Sequence, residues 1–108
     1  MAITMNLYYT GENGSALSFV KEMMESGTVE KIRKEKGNLR YEYFQMLSDP
    51  ETILLIDSWE SQEALDEHHR SPMMGRIMEL RDKYNLHMRA ERYISEKENE
   101  KDSAYLRR

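Results

Sequence analysis

Cysteine is absent from the 108 residues, which removes disulfides and thiolate metal sites from consideration. Its absence fits a reducing cytoplasm. The opening MAITMNLYY has no basic segment followed by an apolar core and a small-residue cleavage site, so no export signal is expected. No apolar run approaches the roughly 20 residues of a membrane span. Positive charge does not dominate: 16 Lys and Arg stand against 20 Asp and Glu, a net charge of −4. The bases are interleaved with acids, as in KEMMESGTVEKIRKEKG, which reads as a solvated helix face rather than a nucleic-acid stripe. The chain also lacks a Gly-rich phosphate loop, an HExxH, a nucleophile elbow and a CxxC. Nucleotide and flavin cofactors therefore have no docking signature, and no metal site is expected. Only three histidines and one tryptophan are present, so chemistry has few places to reside.

The length implies one domain with a modest core, of a size that often gains burial by pairing with a copy of itself. Ala2 to Tyr9 alternates, with Ile3, Met5, Leu7 and Tyr9 on one face and Thr4, Asn6 and Tyr8 on the other, which is a strand. GENGS breaks it, with Asn13 or Ser15 available as a helix cap. Ala16, Val20, Met23 and Met24 follow at helical spacing, with Phe19 close by. Gly27 interrupts this helix, and a second piece from Thr28 to Lys36 stops at Gly37. Asn38 to Met46 reads as an aromatic-rich strand, Asp49-Pro50 as a turn, and Thr52 to Trp59 as a third strand. Ser61 caps a helix with Ala64, Leu65 and His68 on one side. Pro72 opens another, carrying Met73, Ile77, Leu80 and Tyr84 inward. Leu86 to Tyr93 is a last, less apolar strand that suits an edge.

The order strand, helix, strand, strand, helix, strand is the split βαβ arrangement: an α+β, ferredoxin-like βαββαβ fold with an antiparallel sheet. Residues 1–94 form the domain. Residues 95–108, SEKENEKDSAYLRR, form a charged tail that is either frayed or packed on a partner. Helices on such a sheet cover one face. The centre of the third strand, Ile53-Leu54-Leu55-Ile56, is apolar on both faces. A second sheet is the simplest cover for the other face, which implies a homodimer of the dimeric α/β-barrel type.

Gly37 to Met74 gathers the candidates for chemistry. His68 lies three residues after Leu65 and four after Ala64, on the helix face that meets the sheet. An imidazole ordinarily titrates near neutrality, which suits a base; a hydrogen-bonded core histidine is the plainer reading. His69 sits at the margin of the same face. Adjacent helical residues point about 100° apart, which disfavours a shared metal ion. Tyr41 and Tyr43 share a strand face with Leu39 and Gln45, and Trp59 closes the next strand. Rings with polar tips suit a flat aromatic ligand, or ordinary packing. Met73 belongs to a methionine-rich helical set that fills core or shapes a pliable wall. Asn6, mid-strand on the face opposite Ile3, either donates into a pocket or meets solvent.

GNLRYEYF, DPET, the apolar strand ending DSWES, and EALDEHHRSP, in that order and spacing, resemble the antibiotic biosynthesis monooxygenase (ABM) domain family, most closely its small quinol monooxygenase-like members. The resemblance implies a ferredoxin-like domain that dimerises through its sheets, with a pocket between sheet and helices. It implies oxidation of a small quinol or phenol by O₂ without metal or organic cofactor, the protein supplying a base, a dry pocket and oxyanion donors. By this resemblance Trp59 takes the family's strand-end Trp and His68 the His of its DxH motif, with His69 in reserve. Tyr41 and Tyr43 match aromatic positions, and Asn6 contacts the oxygen. In related heme-degrading domains Asn6 has a counterpart, but His68 stands where those have Trp and Met78 near where they have the heme-ligating His. An isomerase of a small phosphorylated metabolite is the alternative, with Arg40, Arg70 and Arg76 as phosphate contacts; a non-catalytic small-molecule-binding dimer is the third.

Overall fold

The computed structural model describes residues 1–108. Four strands, β1 (Ile3–Thr10), β2 (Asn38–Met46), β3 (Asp49–Trp59) and β4 (His87–Ile94), form one antiparallel sheet in the order β2-β3-β1-β4. Four helices, α1 (Ser15–Glu25), α2 (Thr28–Arg33), α3 (Gln62–His69) and α4 (Pro72–Lys83), accompany it. This is the ferredoxin-like arrangement implied by the element order. No helix is long and apolar enough to cross a membrane.

Register separates the two faces. Tyr9, Leu7, Met5 and Ile3 of β1 stand beside Ile53, Leu55, Asp57 and Trp59 of β3, and Tyr43 and Tyr41 of β2 continue two of these rows. The core lies between this face and the helices, which contribute Ala16, Phe19, Met23, Val29, Ile32, Leu65, Ile77 and Leu80. The opposite face carries Thr4, Asn6 and Tyr8 of β1 beside Ser58, Ile56 and Leu54 of β3. Leu54 and Ile56 are half-buried there, because the helices all lie on the other side. The β4 strand is an edge with most side chains exposed on both faces.

Three expectations change. Asp49 and Pro50 belong to β3, and the turn is Leu47-Ser48; a register shift between Gln45 and Met46 pairs Met46 with Asp49, and proline is tolerated at such an irregularity. Leu39 does not face inward with Tyr41, because a bulge between Asn38 and Arg40 turns it out to 53% exposure. The cap of α1 is Gly14, with no side-chain bond; Ser15 Oγ instead accepts from the Glu12 amide at 2.9 Å.

Close backbone approach joins the start of β2 to α3. Gly37 adopts φ 84° between α2 and β2, where other residues are strained. A Cβ there would stand 2.6 Å from the Cβ of Ala64 in α3. The Glu60 amide donates to the Gly37 carbonyl at 2.8 Å. The tail beyond β4 forms only a short 3-10 turn, Glu100–Tyr105, and is exposed throughout.

Candidate active site

The end of β3 reads Asp57-Ser58-Trp59. Residues two apart on a strand share a face, so Asp57 and Trp59 both enter the layer beneath the helices. Trp59 is fully buried, and a buried indole N–H needs an acceptor. Its Nε1 donates to Asp57 Oδ1 at 2.6 Å. Burial pushes the Asp57 carboxyl up to about 6, against the opposing effects of the Trp59 bond and the neighbouring His69 charge.

The second ring comes from α3. Ser61 caps it by accepting from the Ala64 amide at 3.1 Å, and Ala64, Leu65 and His68 occupy its inner face. His68 is 3% exposed and stacks on Trp59, with ring centroids 4.6 Å apart and planes 25° from parallel. Its Nδ1 donates to Glu35 Oε2 at 2.8 Å. Ser71 Oγ donates to the other Glu35 oxygen at 3.3 Å. An ionised carboxylate only accepts, so this bond keeps a proton on Nδ1 and leaves Nε2 as the basic nitrogen of the neutral ring. Glu35, His68, Trp59 and Asp57 thus form a row in which two stacked rings are each held by one carboxylate. His68 also lines a hollow of about 160 Å³ with Glu35, Lys36, Ala64, Glu67 and Ser71.

Of the residues singled out in the sequence, Tyr41 joins this row, its ring centroid 6.4 Å from that of His68 and its edge meeting Tyr43 at 5.7 Å. Trp59 and Tyr41 pack closely in the core, and the hollow beside His68 has other walls than these rings. His69 is exposed, its ring 5.8 Å from that of His68. Met73 packs on the core, half-buried, from the first turn of α4. Asn6 is not brought to the row: the alternation of β1 sends it to the face away from the helices, between Ile56 and Glu91, where its Oδ1 is buried without a partner. The three arginines offered for a phosphate do not converge there either. Arg40 pairs with Glu42 at 2.8 Å and Arg76 with Glu22 at 2.9 Å, while Arg70 is exposed.

A second polar group lies under the helices. Arg81 Nη2 donates to the Tyr9 hydroxyl at 3.1 Å, with the guanidinium 5.5 Å from the centre of the Tyr9 ring. The Tyr43 hydroxyl and Arg81 Nε are buried without partners. Burial raises the phenols of Tyr9, Tyr41 and Tyr43 above their ordinary range, so all three stay protonated donors at neutral pH.

Sequence reasoning missed Glu35, Asp57, Tyr9 and Arg81 as site residues. Asp57 carried a readable signal, its spacing of two from Trp59. Glu35 carried none, being one acid in a run of charges.

A family model for antibiotic biosynthesis monooxygenase (ABM) matches residues 3–80, a span that includes both rings and both carboxylates of the row. Among curated proteins, none matches the chain. Solved structures match it closely in shape. A conserved protein from Methanosarcina mazei Go1 is 23% identical with a TM-score of 0.76, over 89% of this chain and 94% of that one. A protein from Deinococcus radiodurans, provisionally assigned as an antibiotic biosynthesis monooxygenase, is 18% identical with a TM-score of 0.73, over 92% and 96%. SnoaB, a cofactor-independent oxygenase from Streptomyces nogalater, is 11% identical with a TM-score of 0.74, over 90% and 95%. Identities this low establish a shared fold; the family follows from the model match over most of the chain. This chain belongs to the antibiotic biosynthesis monooxygenase family.

Proposed function

We propose that this protein is a monooxygenase that oxidises a small quinol or phenol with O₂, using no metal or organic cofactor. The observation that carries the reading is the stacking of His68 on Trp59, with Nδ1 committed to Glu35 and Nε2 left to take a proton. Glu35 acts as a positioning residue for His68, and Asp57 as one for Trp59. In the reaction the substrate hydroxyl gives its proton to His68. The resulting anion passes an electron to O₂, radical and superoxide combine at a ring carbon that bears hydrogen, His68 returns its proton to the peroxide, and loss of water with that carbon's hydrogen leaves a carbonyl. One oxygen atom ends in the product and the other in water. Family membership and the shared fold of a cofactor-independent oxygenase support the same reading.

The proposal includes a homodimer joined through the open sheet faces, whose apolar Leu54 and Ile56 lack a cover within the chain. Asn6 then contributes at that interface rather than beside His68. Oxygen consumption with a panel of electron-rich quinols tests the activity. Uptake that depends on the protein and collapses in His68→Ala is expected; uptake unchanged by that substitution removes His68 from the mechanism.

A further inference from the structure

Of the asparagines in the chain, only Asn13 is followed by glycine. The main-chain nitrogen of a following residue attacks an asparagine side chain at Cγ, and a side chain on that residue hinders the approach. Gly14 has none, and a Cβ built there would meet nothing within 4 Å. Both residues are exposed, in the turn between β1 and α1. Asn13 adopts φ 53°, in the left-handed region that asparagine tolerates better than most residues. Asn85 has similar geometry, with φ 48° and an exposed side chain, but is followed by Leu86.

One contact sets the Asn13 turn apart. The Gly14 amide, whose nitrogen is the nucleophile, donates to Glu51 Oε1 at 2.8 Å. The Glu51 carbonyl also accepts from the Gly11 amide at 3.0 Å. One residue of β3 therefore holds the turn through both main chain and side chain, and its carboxylate forms no ion pair. A carboxylate is far too weak a base to deprotonate an amide. Its charge instead stabilises the N–H form and opposes the developing amide anion that attack requires. The bond also fixes where the Gly14 nitrogen points. Both effects retard the reaction.

We propose that Asn13-Gly14 is a site of spontaneous covalent modification, and that Glu51 is the residue that holds it in check. When the Glu51 contact opens, the Gly14 nitrogen bonds to Asn13 Cγ. The side-chain nitrogen leaves as ammonia, carrying the Gly14 amide proton, and a succinimide remains. Water opens that ring at either carbonyl, giving aspartate or isoaspartate; nothing is oxidised or reduced. The isoaspartyl form carries one extra main-chain carbon just before α1, whose Phe19 packs on Tyr9 with ring centroids 5.2 Å apart. This chemistry does not depend on the oxygenase reading.

The test incubates the intact protein in mildly alkaline buffer, beside a synthetic peptide of residues 9–19. Conversion at Asn13 is followed by peptide mass mapping, with the isoaspartyl form resolved by chromatography. The peptide should convert fastest and the wild type slowest. Glu51→Ala should convert at least about tenfold faster than the wild type, the scale of a charge-assisted hydrogen bond. Glu51→Gln keeps an acceptor without the charge; it should fall between them, and serves if Glu51→Ala does not fold. Ser61→Ala, which removes the distant cap of α3, should convert at the wild-type rate, so that general loosening of the fold is told apart from loss of the Glu51 contact. Asn85 should stay intact in every protein. Wild type converting as fast as the peptide, folded Glu51→Ala converting no faster than wild type, or Ser61→Ala matching Glu51→Ala overturns the proposal.

Discussion

The two faces of the sheet carry similar residue types in different circumstances. Beneath the helices, Trp59, Tyr9 and Tyr41 are fully or almost fully buried, and the carboxyl of Asp57 and the phenols of Tyr9, Tyr41 and Tyr43 are raised first of all by loss of water. On the open face Phe44 and Tyr93 are 40% and 49% exposed, and Tyr93 is raised first by the adjacent negative charge of Glu91. A polar group becomes chemically unusual where the fold strips its hydration, and in this chain the helices do that on one side only. The other side keeps Leu54 and Ile56 only half-buried.

The largest expected effect bears on the covered face. His68→Ala should lower quinol-dependent oxygen uptake by about a hundredfold or more, the usual scale for a lost general base, while sedimentation shows an unchanged assembly. The counterpart on the open face is Leu54→Glu combined with Ile56→Glu. A charge pair set into a sheet interface should convert dimer to monomer in analytical ultracentrifugation; equal masses for both proteins would make this face a solvent face.

Asp57→Asn sharpens the contrast through pH. The folded chain holds this proton above the ordinary carboxyl value of 3.8, at about 6. The folded state thus binds it more tightly than the unfolded chain, so stability from Asp57 is complete below about pH 4 and is lost as pH rises through about 6. The gap corresponds to roughly 3 kcal/mol. Denaturant melts at pH 4 and pH 8 should show the wild type losing stability relative to Asp57→Asn over that interval; parallel curves would mean that the carboxyl is not strained by burial. Smaller still, Glu35→Gln keeps an acceptor for Nδ1 but removes the charge. It should cost about tenfold in kcat with little change in KM. His69→Ala, at an exposed ring, should stay within about twofold in oxygen uptake.

Much of this architecture was legible because apolar periodicity is a local property. The alternation of Ile3, Met5 and Leu7, the cap at Ser61 and the stripe Ile77–Leu80–Tyr84 each report on their own element. The inward placement of His68 followed from its spacing to Ala64 and Leu65. What remained hidden depends on distance along the chain. Glu35 meets His68 across 33 residues, and Arg81 meets Tyr9 across 72. Nothing in the run KIRKEKG says that its one glutamate meets an imidazole on another helix. The start of β3 was hidden for another reason: Asp49-Pro50 has turn chemistry, and only the irregular pairing with Met46 lets it continue a strand.

The seam between Gly37 and Ala64 has a consequence for how this chain tolerates change. Glu35 stands two residues before the glycine and His68 four after the alanine, so main-chain contact at one point aligns both. Side-chain drift in the charged run leaves that alignment intact, whereas inserting a single residue between positions 33 and 37 would slide the carboxylate off the imidazole. At the opposite tip Leu47 is wholly exposed. A fluorophore or affinity tag spliced there would leave the contact between Glu35 and His68 undisturbed, which makes that hairpin the natural handle for immobilising the protein.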